Sequence, residues 1–336
     1  MKEINVLLVG FGQLGKLLLK LWAVQPGFRV IGVVDSDPAL EGCNAAELAG
    51  IAGMDLPIRK SAAGFGGRAE VAVVTTVSSA EKIMPLLQSL LKEGLSVVTS
   101  CEELFYPARR HADEIRSLAA LAEKQNLAVL AAGINPGFLM DVLPVTLSGA
   151  SALIESVTID RVQDASPRRM QFQKKIGAGL DLDEFEKRAE SGVLRHVGIT
   201  ESLFYVADSL GWNLASVEEE LSPVIAEEDL AIPGAIPVKA GQARGVRQTG
   251  IGKLADGTEV IRLNFLAAVG EGESYDRIVI DGVPRLESTI KGGVNGDQGS
   301  CAVLTSAVRR LQSSSLTGFL TMRDLPQAPG AVRRDV

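Results

Sequence analysis

Ile4 to Val9 (INVLLV) is a short apolar run, GFGQLG follows at once, and KLLLKLW after it is apolar at helical intervals. A strand, a tight glycine turn and a helix in immediate succession restrict what this chain can fold into more than any other stretch. Gly10, Gly12 and Gly15 fall in GxGxxG spacing, with Phe11, Gln13 and Leu14 between them. The first glycine permits the turn, the second lets the backbone approach a pyrophosphate, and the third lets the helix pack on its strand. Helix amides from about Gln13 onward then face the phosphates. A second apolar run, Phe28 to Val34, ends at Asp35, placed to accept hydrogen bonds from a ribose 2′-hydroxyl. Together these parts point to a nicotinamide dinucleotide. Asp35 favours NAD, because a carboxylate repels a 2′-phosphate.

Beyond Asp35, strand-like and helix-like runs alternate. Leu56 to Arg59, Glu70 to Val77, Leu95 to Thr99 and Ala128 to Ala132 read as strands. Ala80 to Lys92, capped by Ser79, and about Ala108 to Gln125 read as helices. The α/β alternation predicts an N-terminal doubly wound parallel sheet of the Rossmann type over residues 1–137. Ligands of such sheets bind beyond the carboxyl ends of the strands. Thr75, Thr76, Ser78, Ser100, Cys101 and Asn135 leave those ends, and with the glycine loop and Asp35 they are the expected cofactor contacts.

From about Phe138 the texture changes. Phe138 to Leu147 reads as a helix, Ser156 to Val162 as a strand, and 163–180 as a loop or irregular hairpin. Short helices over Asp181 to Ser191 and Thr200 to Leu210 follow. Strand-like runs at Ile236 to Ala240, Gly245 to Ile251, Glu259 to Ala268 and Asp276 to Asp281 predict a second α+β domain, residues 138–298, on a mostly antiparallel sheet. Such a sheet needs one face covered, here by helices and a second subunit. A last helix, Ser300 to Gln312, is expected to return to the nucleotide domain within 299–336, ahead of an irregular tail.

The net charge of −7 argues against non-specific nucleic-acid binding. No apolar stretch approaches the ~20 residues of a membrane helix. The three scattered cysteines, without CxxC, indicate neither a disulfide framework nor a metal site. The start reads as a strand entering a glycine loop rather than a signal peptide, and the cytoplasm is expected.

For the reaction, Glu102 is the leading candidate and Glu103 the alternative. Both follow directly on an apolar strand whose end should reach the nicotinamide side of the crevice. A carboxylate there, partly desolvated, can exchange protons with a substrate nitrogen or a water; the plainer role is capping a helix. Asn135 is either a carboxamide ligand or a turn former. His196 either contacts substrate or is a packed, satisfied histidine, and His111 reads as solvated. Arg161, Arg168, Arg169, Lys174 and Lys175 form a basic group in an acidic chain, suited to a substrate carboxylate, a 2′-phosphate or a subunit contact. GGVNGDQGS, Gly292 to Ser300, is either an anion-friendly wall or a plain turn into a helix. Asp141 and Asp164 read as structural.

GFGQLG, VVTSCEELFYP, GINPGFLMD, RHVGITES and GGVNGDQGS fall in an order and spacing that resembles the 2,4-diaminopentanoate dehydrogenase family, relatives of the native amine dehydrogenases and often termed dihydrodipicolinate-reductase-like. The likeness runs from residue 1 to about 325. It implies NAD(P)-dependent oxidative deamination of a small amine, reversible as reductive amination of a ketone or aldehyde with ammonia, in a homodimer. It implies Glu102 as the catalytic glutamate, one residue from Glu103, and a substrate pocket with Ile134, Phe138, Leu139, Met140 and Leu143, to which His196 and Ser300 are added. It implies that NADP is accepted beside NAD. The chain lacks the His-His and Lys-x-Asp-x-Pro-Ser-Gly-Thr signature of dihydrodipicolinate reductases. Two other functions remain open: reduction of a cyclic imine or ketone without ammonia, and a non-catalytic NAD(H) sensor.

Overall fold

A computed structural model describes residues 3–107 and 110–327, in two compact units: Met1–Phe138 with Asn295–Val336, and Leu139–Val294. The first unit runs β1 (Ile4–Val9), α1 (Gln13–Val24), β2 (Phe28–Val34), α2 (Ala45–Leu48), β3 (Ile58–Arg59), β4 (Val71–Val74), α3 (Ala80–Lys92), β5 (Ser96–Thr99), α4 (Ala112–Lys124) and β6 (Ala128–Ala131). The second unit holds α5 (Val142–Ser148), β7 (Leu153–Asp164), α6 (Met170–Lys175), α7 (Leu182–Glu190), α8 (Ile199–Leu210) and β8 (Ser216–Ile225). It continues through β9 (Ala243–Lys253), β10 (Glu259–Ala268), β11 (Tyr275–Val283) and β12 (Leu286–Lys291). The chain then returns to the first unit with α9 (Gly296–Ser313) and β13 (Gly318–Leu320).

The first unit is a seven-stranded sheet in the order β13-β6-β5-β4-β1-β2-β3, with every pairing parallel. Every residue of β4 and β6 is buried, as a sheet covered on both faces demands. Leu7, Ala72, Val74, Val97 and Val129 pack against Ile83, Leu87, Leu90 and Leu91 of α3 and Leu118 of α4. Each fully buried leucine contributes about 1.5–3 kcal/mol relative to exposure. On α1, Leu18, Leu19 and Trp22 are buried, and α9 packs against α1, β4, β5 and β6. The Trp22 indole N–H donates to Thr305 Oγ1 at 3.0 Å.

The second unit is a six-stranded sheet in the order β12-β11-β7-β10-β9-β8. It is mostly antiparallel, with β10 and β7 running parallel. Burial alternates along β7, so one side of the strand faces in and the other out, while β11 buries Ile278, Val279 and Ile280 in succession. The buried side of β7 carries Val157 and Ile159, but also Arg161 and Gln163.

Several boundaries differ from the sequence reading. The helix expected from Phe138 begins at Val142, because Asp141 takes the cap position and accepts from the Val142 N–H. The 163–180 stretch contains the short helix α6. Ile236 to Ala240 is not a strand; only Val238 bridges, to Leu230. Conversely β8 and β12 were hidden by their charge, Glu218 to Glu220 in one and Glu287 with Lys291 in the other. The tail contributes β13, too short for any periodicity to show. The predicted helix start at Ala108 and the tail residues 328–336 lie outside the described residues.

Candidate active site

The carboxyl edge of the parallel sheet is a continuous row of main-chain hydrogen bonds. Asp35 N donates to Arg59 O, Gly10 N to Val34 O, Thr75 N to Val9 O, Ser100 N to Val74 O and Ala132 N to Thr99 O, all at 2.8–3.0 Å. The residues leaving the strands are therefore ranked along one edge, from Asp35 through Gly10, Thr75 and Ser100 to Gly133 and Asn135. With neighbouring strands about 4.8 Å apart, the ends of β2 and β5, three steps apart, lie roughly 14 Å from each other.

The glycine loop is tied to this edge by side chains on both sides. Asp35 accepts from the Phe11 N–H at 2.6 Å through Oδ2 and from the Asp37 N–H at 2.8 Å through Oδ1. The Thr75 hydroxyl donates to Gly10 O at 2.9 Å. Gly10 has φ +92°, and a Cβ there would meet Thr75 O at 2.7 Å and Thr76 Cγ2 at 2.8 Å; one on Gly15 would meet Gly10 O at 2.2 Å. Gly12 differs. Its φ is −71°, and a Cβ would touch nothing within 4 Å, so nothing inside the chain asks for glycine there. A glycine that the fold does not need, at the start of a helix with no side-chain cap and no acidic first-turn residue, fits a phosphate approaching from outside. Gln13 and Leu14 open that first turn.

Further along the edge, the loops after β4 and β5 are joined. Ser78 O accepts from the Cys101 thiol at 3.1 Å and from the Glu103 N–H at 3.3 Å. Burial pushes the Cys101 thiol up to about 12, so it stays protonated and donates. The Ala80 N–H, the first of α3, donates to Glu103 Oε2 at 2.8 Å. Ser79 stands at the N-cap without a side-chain cap bond, so the capping expected of it is supplied by Glu103 across the loop. Glu102, by contrast, opens a single 3₁₀ turn (Glu102–Leu104) and is half-buried; its carbonyl accepts from the Phe105 N–H, but its carboxylate has no hydrogen-bond or ion-pair partner among the described residues. At the end of β6, Ile134 is buried, with Asn135 and Phe138 partly so.

In the second unit, Leu139 and Met140 are buried and Leu143 partly so. His196 stacks on Phe265 with centroids 4.6 Å apart. Its main chain is clasped by Gln248: the His196 N–H donates to Oε1 at 2.7 Å, and Nε2 donates to the His196 carbonyl at 3.2 Å. Gln248 is the cross-strand partner of Phe265, and its Nε2 also donates to Glu219 at 3.1 Å. Burial, then the positive charges of Lys175, Arg161 and Arg195, push the half-buried imidazole down to about 3. It is neutral at ordinary pH, a hydrogen-bonding group rather than an acid. Gln248 and Glu219 escaped the sequence reading; the available signal was an amide at an inward register of β9.

The basic stretch does not act together. Arg161 is buried in an ion pair with Asp276, and its second guanidinium nitrogen donates to Val294 O at 2.9 Å. Arg168 donates to Gln163 and lies over the Phe172 ring. Asn295 caps α9, accepting from the N–H groups of Asp297 and Gln298 at 3.1 Å, so GGVNGDQGS is a turn into a helix with its amides engaged. Ser300 lies in α9, part-buried. Asp141 accepts from the Ser202 hydroxyl, and Asp164 from Ser166, both structural. A concavity of about 740 Å³ is lined by Asp160, Arg247, Arg262, Asn264, Glu271 and Tyr275 and by Phe265, the ring stacked on His196, but by none of the sequence candidates themselves.

The 2,4-diaminopentanoate dehydrogenase C-terminal domain family matches residues 138–336. Over 350 aligned residues the chain is 26% identical to the 2,4-diaminopentanoate dehydrogenase of Acetoanaerobium sticklandii, covering 100% of this chain and 96% of that protein. It is 22% identical to an amine dehydrogenase of Streptomyces virginiae, covering 98% of each. The fold is shared with the amine dehydrogenase structure from Mycobacterium smegmatis, with a TM-score of 0.83, 18% identity and 97% of each chain covered.

Proposed function

Because the chain belongs to the 2,4-diaminopentanoate dehydrogenase family, we propose that it is an NAD(P)-dependent amine dehydrogenase in which Glu102 handles the protons. The dinucleotide supplies or accepts a hydride. The chain's own part is to hold the phosphates over Gly12 and the first turn of α1. Asp35 holds the ribose at the end of β2, and its charge favours NAD over NADP. Thr75, Thr76, Ser78, Ser100, Cys101 and Asn135 flank the remaining path along the strand ends.

The observation that carries the reading is the division between adjacent glutamates. Glu103 is spent on the α3 amide, while the half-buried Glu102 carboxylate, just beyond β5, has no partner among the described residues. Such a group can take a proton from ammonium, pass one to a departing hydroxyl as the imine forms, and reverse both steps in deamination. The ends of β2 and β5 stand roughly 14 Å apart along the edge, which supports a position for Glu102 away from the adenosine half. Ile134, Phe138, Leu139, Met140, Leu143, His196 and Ser300 are the proposed pocket residues, with the apolar ones limiting water and substrate size. The substrates are then a small amine, or a ketone or aldehyde with ammonia. The proposal includes a homodimer, measurable by light scattering. It also includes a reducing, cytoplasmic setting, in keeping with free Cys43, Cys101 and Cys301.

Glu102→Gln is the test. Reductive amination is expected to fall by about 10²–10⁴ with NADH binding retained; unchanged turnover rejects the role. Ketone reduction by NADH independent of ammonium would instead favour a reductase.

A further inference from the structure

The loops that follow β4 and β5 are sewn together, and the stitching runs through the glutamate that the proposed chemistry does not use. Thr75–Ser79 leaves β4 and Ser100–Leu104 leaves β5. Between them stand three bonds: Cys101 Sγ to Ser78 O at 3.1 Å, Glu103 N to Ser78 O at 3.3 Å, and Ala80 N to Glu103 Oε2 at 2.8 Å. The third is the strongest in kind, because a carboxylate accepting from a helix-terminal amide is charge-assisted and also meets the positive end of α3. It is anchored on a rigid element, since Ala80, Ile83 and Leu87 of α3 are buried. The turn that carries Glu102 is a single 3₁₀ turn, packed through Leu104, with Glu102 and Glu103 on its outer, half-buried side.

We infer that Glu103 is a positioning residue, clamping the turn that carries Glu102 onto the first amide of α3. This rests on the reading of Glu102 as the proton-handling group. The clamp fixes the main chain one residue beyond Glu102, so the side chain beside it projects from a defined backbone. Any loosening is felt first in the chemical step and less in dinucleotide affinity, because the phosphate contacts lie on β1 and α1 while only Ser78 and Cys101 of the stitched bonds flank the dinucleotide path. The clamp also distinguishes the two consecutive acids, since Glu103 is engaged by the Ala80 N–H and the Glu102 carboxylate has no partner among the described residues.

The experiment compares Glu103→Ala, Glu103→Asp and Glu103→Gln with Glu102→Gln, measuring kcat for reductive amination, NADH binding and melting temperature. Glu103→Ala loses the acceptor and Glu103→Asp falls short of Ala80 by one methylene; both are expected to lower kcat about 10- to 100-fold. NADH affinity should change far less than kcat. Glu103→Gln keeps an oxygen for the Ala80 N–H and should recover most of the lost kcat. Glu81→Gln, an exposed first-turn acid of α3, controls for helix stability alone and should leave kcat unchanged. Should Glu103→Ala fail to fold, Glu103→Asp carries the same comparison. The inference is overturned if Glu103→Asp keeps full kcat, or if Glu103→Gln is as damaged as Glu103→Ala, which would make the charge itself the essential feature. Loss in Glu102→Gln with full activity in the Glu103 variants overturns the clamp alone; full activity in Glu102→Gln overturns the functional reading beneath it.

Discussion

In the parallel sheet, the edge that carries the candidate site is drawn by main-chain bonds from Asp35, Gly10, Thr75, Ser100 and Ala132 to the neighbouring strands. In the mixed sheet, the buried face is set by side chains: Arg161 against Asp276, Gln163 against Val294 O, Gln248 around His196. The first arrangement leaves a polar side chain such as that of Glu102 without a partner among the described residues. The second engages such side chains, because a buried polar group without a partner costs more than its bond returns. Arg161 shows this most directly. Burial pulls its pKa below the usual arginine range, although Asp276 opposes the shift.

The largest test of that contrast is Asp276→Ala. It strands the Arg161 charge, 3% exposed, and removes the acceptor of the Val294 N–H. A loss of about 3–5 kcal/mol is expected in thermal unfolding. A loss below about 1 kcal/mol would mean that water reaches the pair and that the mixed sheet is not built as described. A smaller effect is expected in the glycine loop, where Gly15→Ala and Gly12→Ala should separate. The Gly15 Cβ would sit 2.2 Å from Gly10 O, a backbone atom with little room to move, costing about 1–3 kcal/mol. Gly12→Ala meets nothing in the chain, so stability should hold within about 0.5 kcal/mol. NADH affinity should nevertheless fall roughly tenfold, about 1.4 kcal/mol. Equal affinity in Gly12→Ala and wild type would sever the glycine loop from the cofactor.

The same contrast explains what the sequence disclosed. β1, α1, β2 and the glycine spacing were legible because each is a local pattern, and a strand buried on both faces writes itself as VAVV or AVLA. The edge residues followed from topology alone. Glu102 and Glu103 could not be separated, because the amide that engages Glu103 belongs to Ala80, 23 positions away. β8 was unreadable for another reason: a strand with Glu218, Glu219 and Glu220 in a row satisfies no alternation, and its place follows from pairing with β9. Nor could the sequence show that Arg161 and Lys175, both in the basic stretch, differ so much, one buried against an acid and the other exposed.

His196 gives a pH signature of the side-chain-built region. Its pKa is about 3 in the fold and about 6.5 in an unfolded chain. Between those values the unfolded chain holds a proton that the folded one refuses, so this group's contribution is full above pH 6.5 and is lost as pH falls toward 3. His196→Asn should therefore lose less melting temperature between pH 7 and pH 5 than wild type does. Parallel slopes would mean that the ring is solvated and the Phe265 stack open.

The smallest expected effect is at Ser79, and its smallness is the point. A serine at an N-cap usually stabilises its helix, and replacing it with alanine costs about 0.5–2 kcal/mol. Here the hydroxyl makes no cap bond, and the Ala80 amide is already taken by Glu103 from the neighbouring loop. Ser79→Ala should thus change stability by less than about 0.5 kcal/mol, while Glu103→Ala shows the full capping loss. If Ser79→Ala costs as much as an ordinary cap, the hydroxyl and not the carboxylate holds α3. The edge of the parallel sheet would then have no side-chain tie between its β4 and β5 loops beyond the Cys101 thiol.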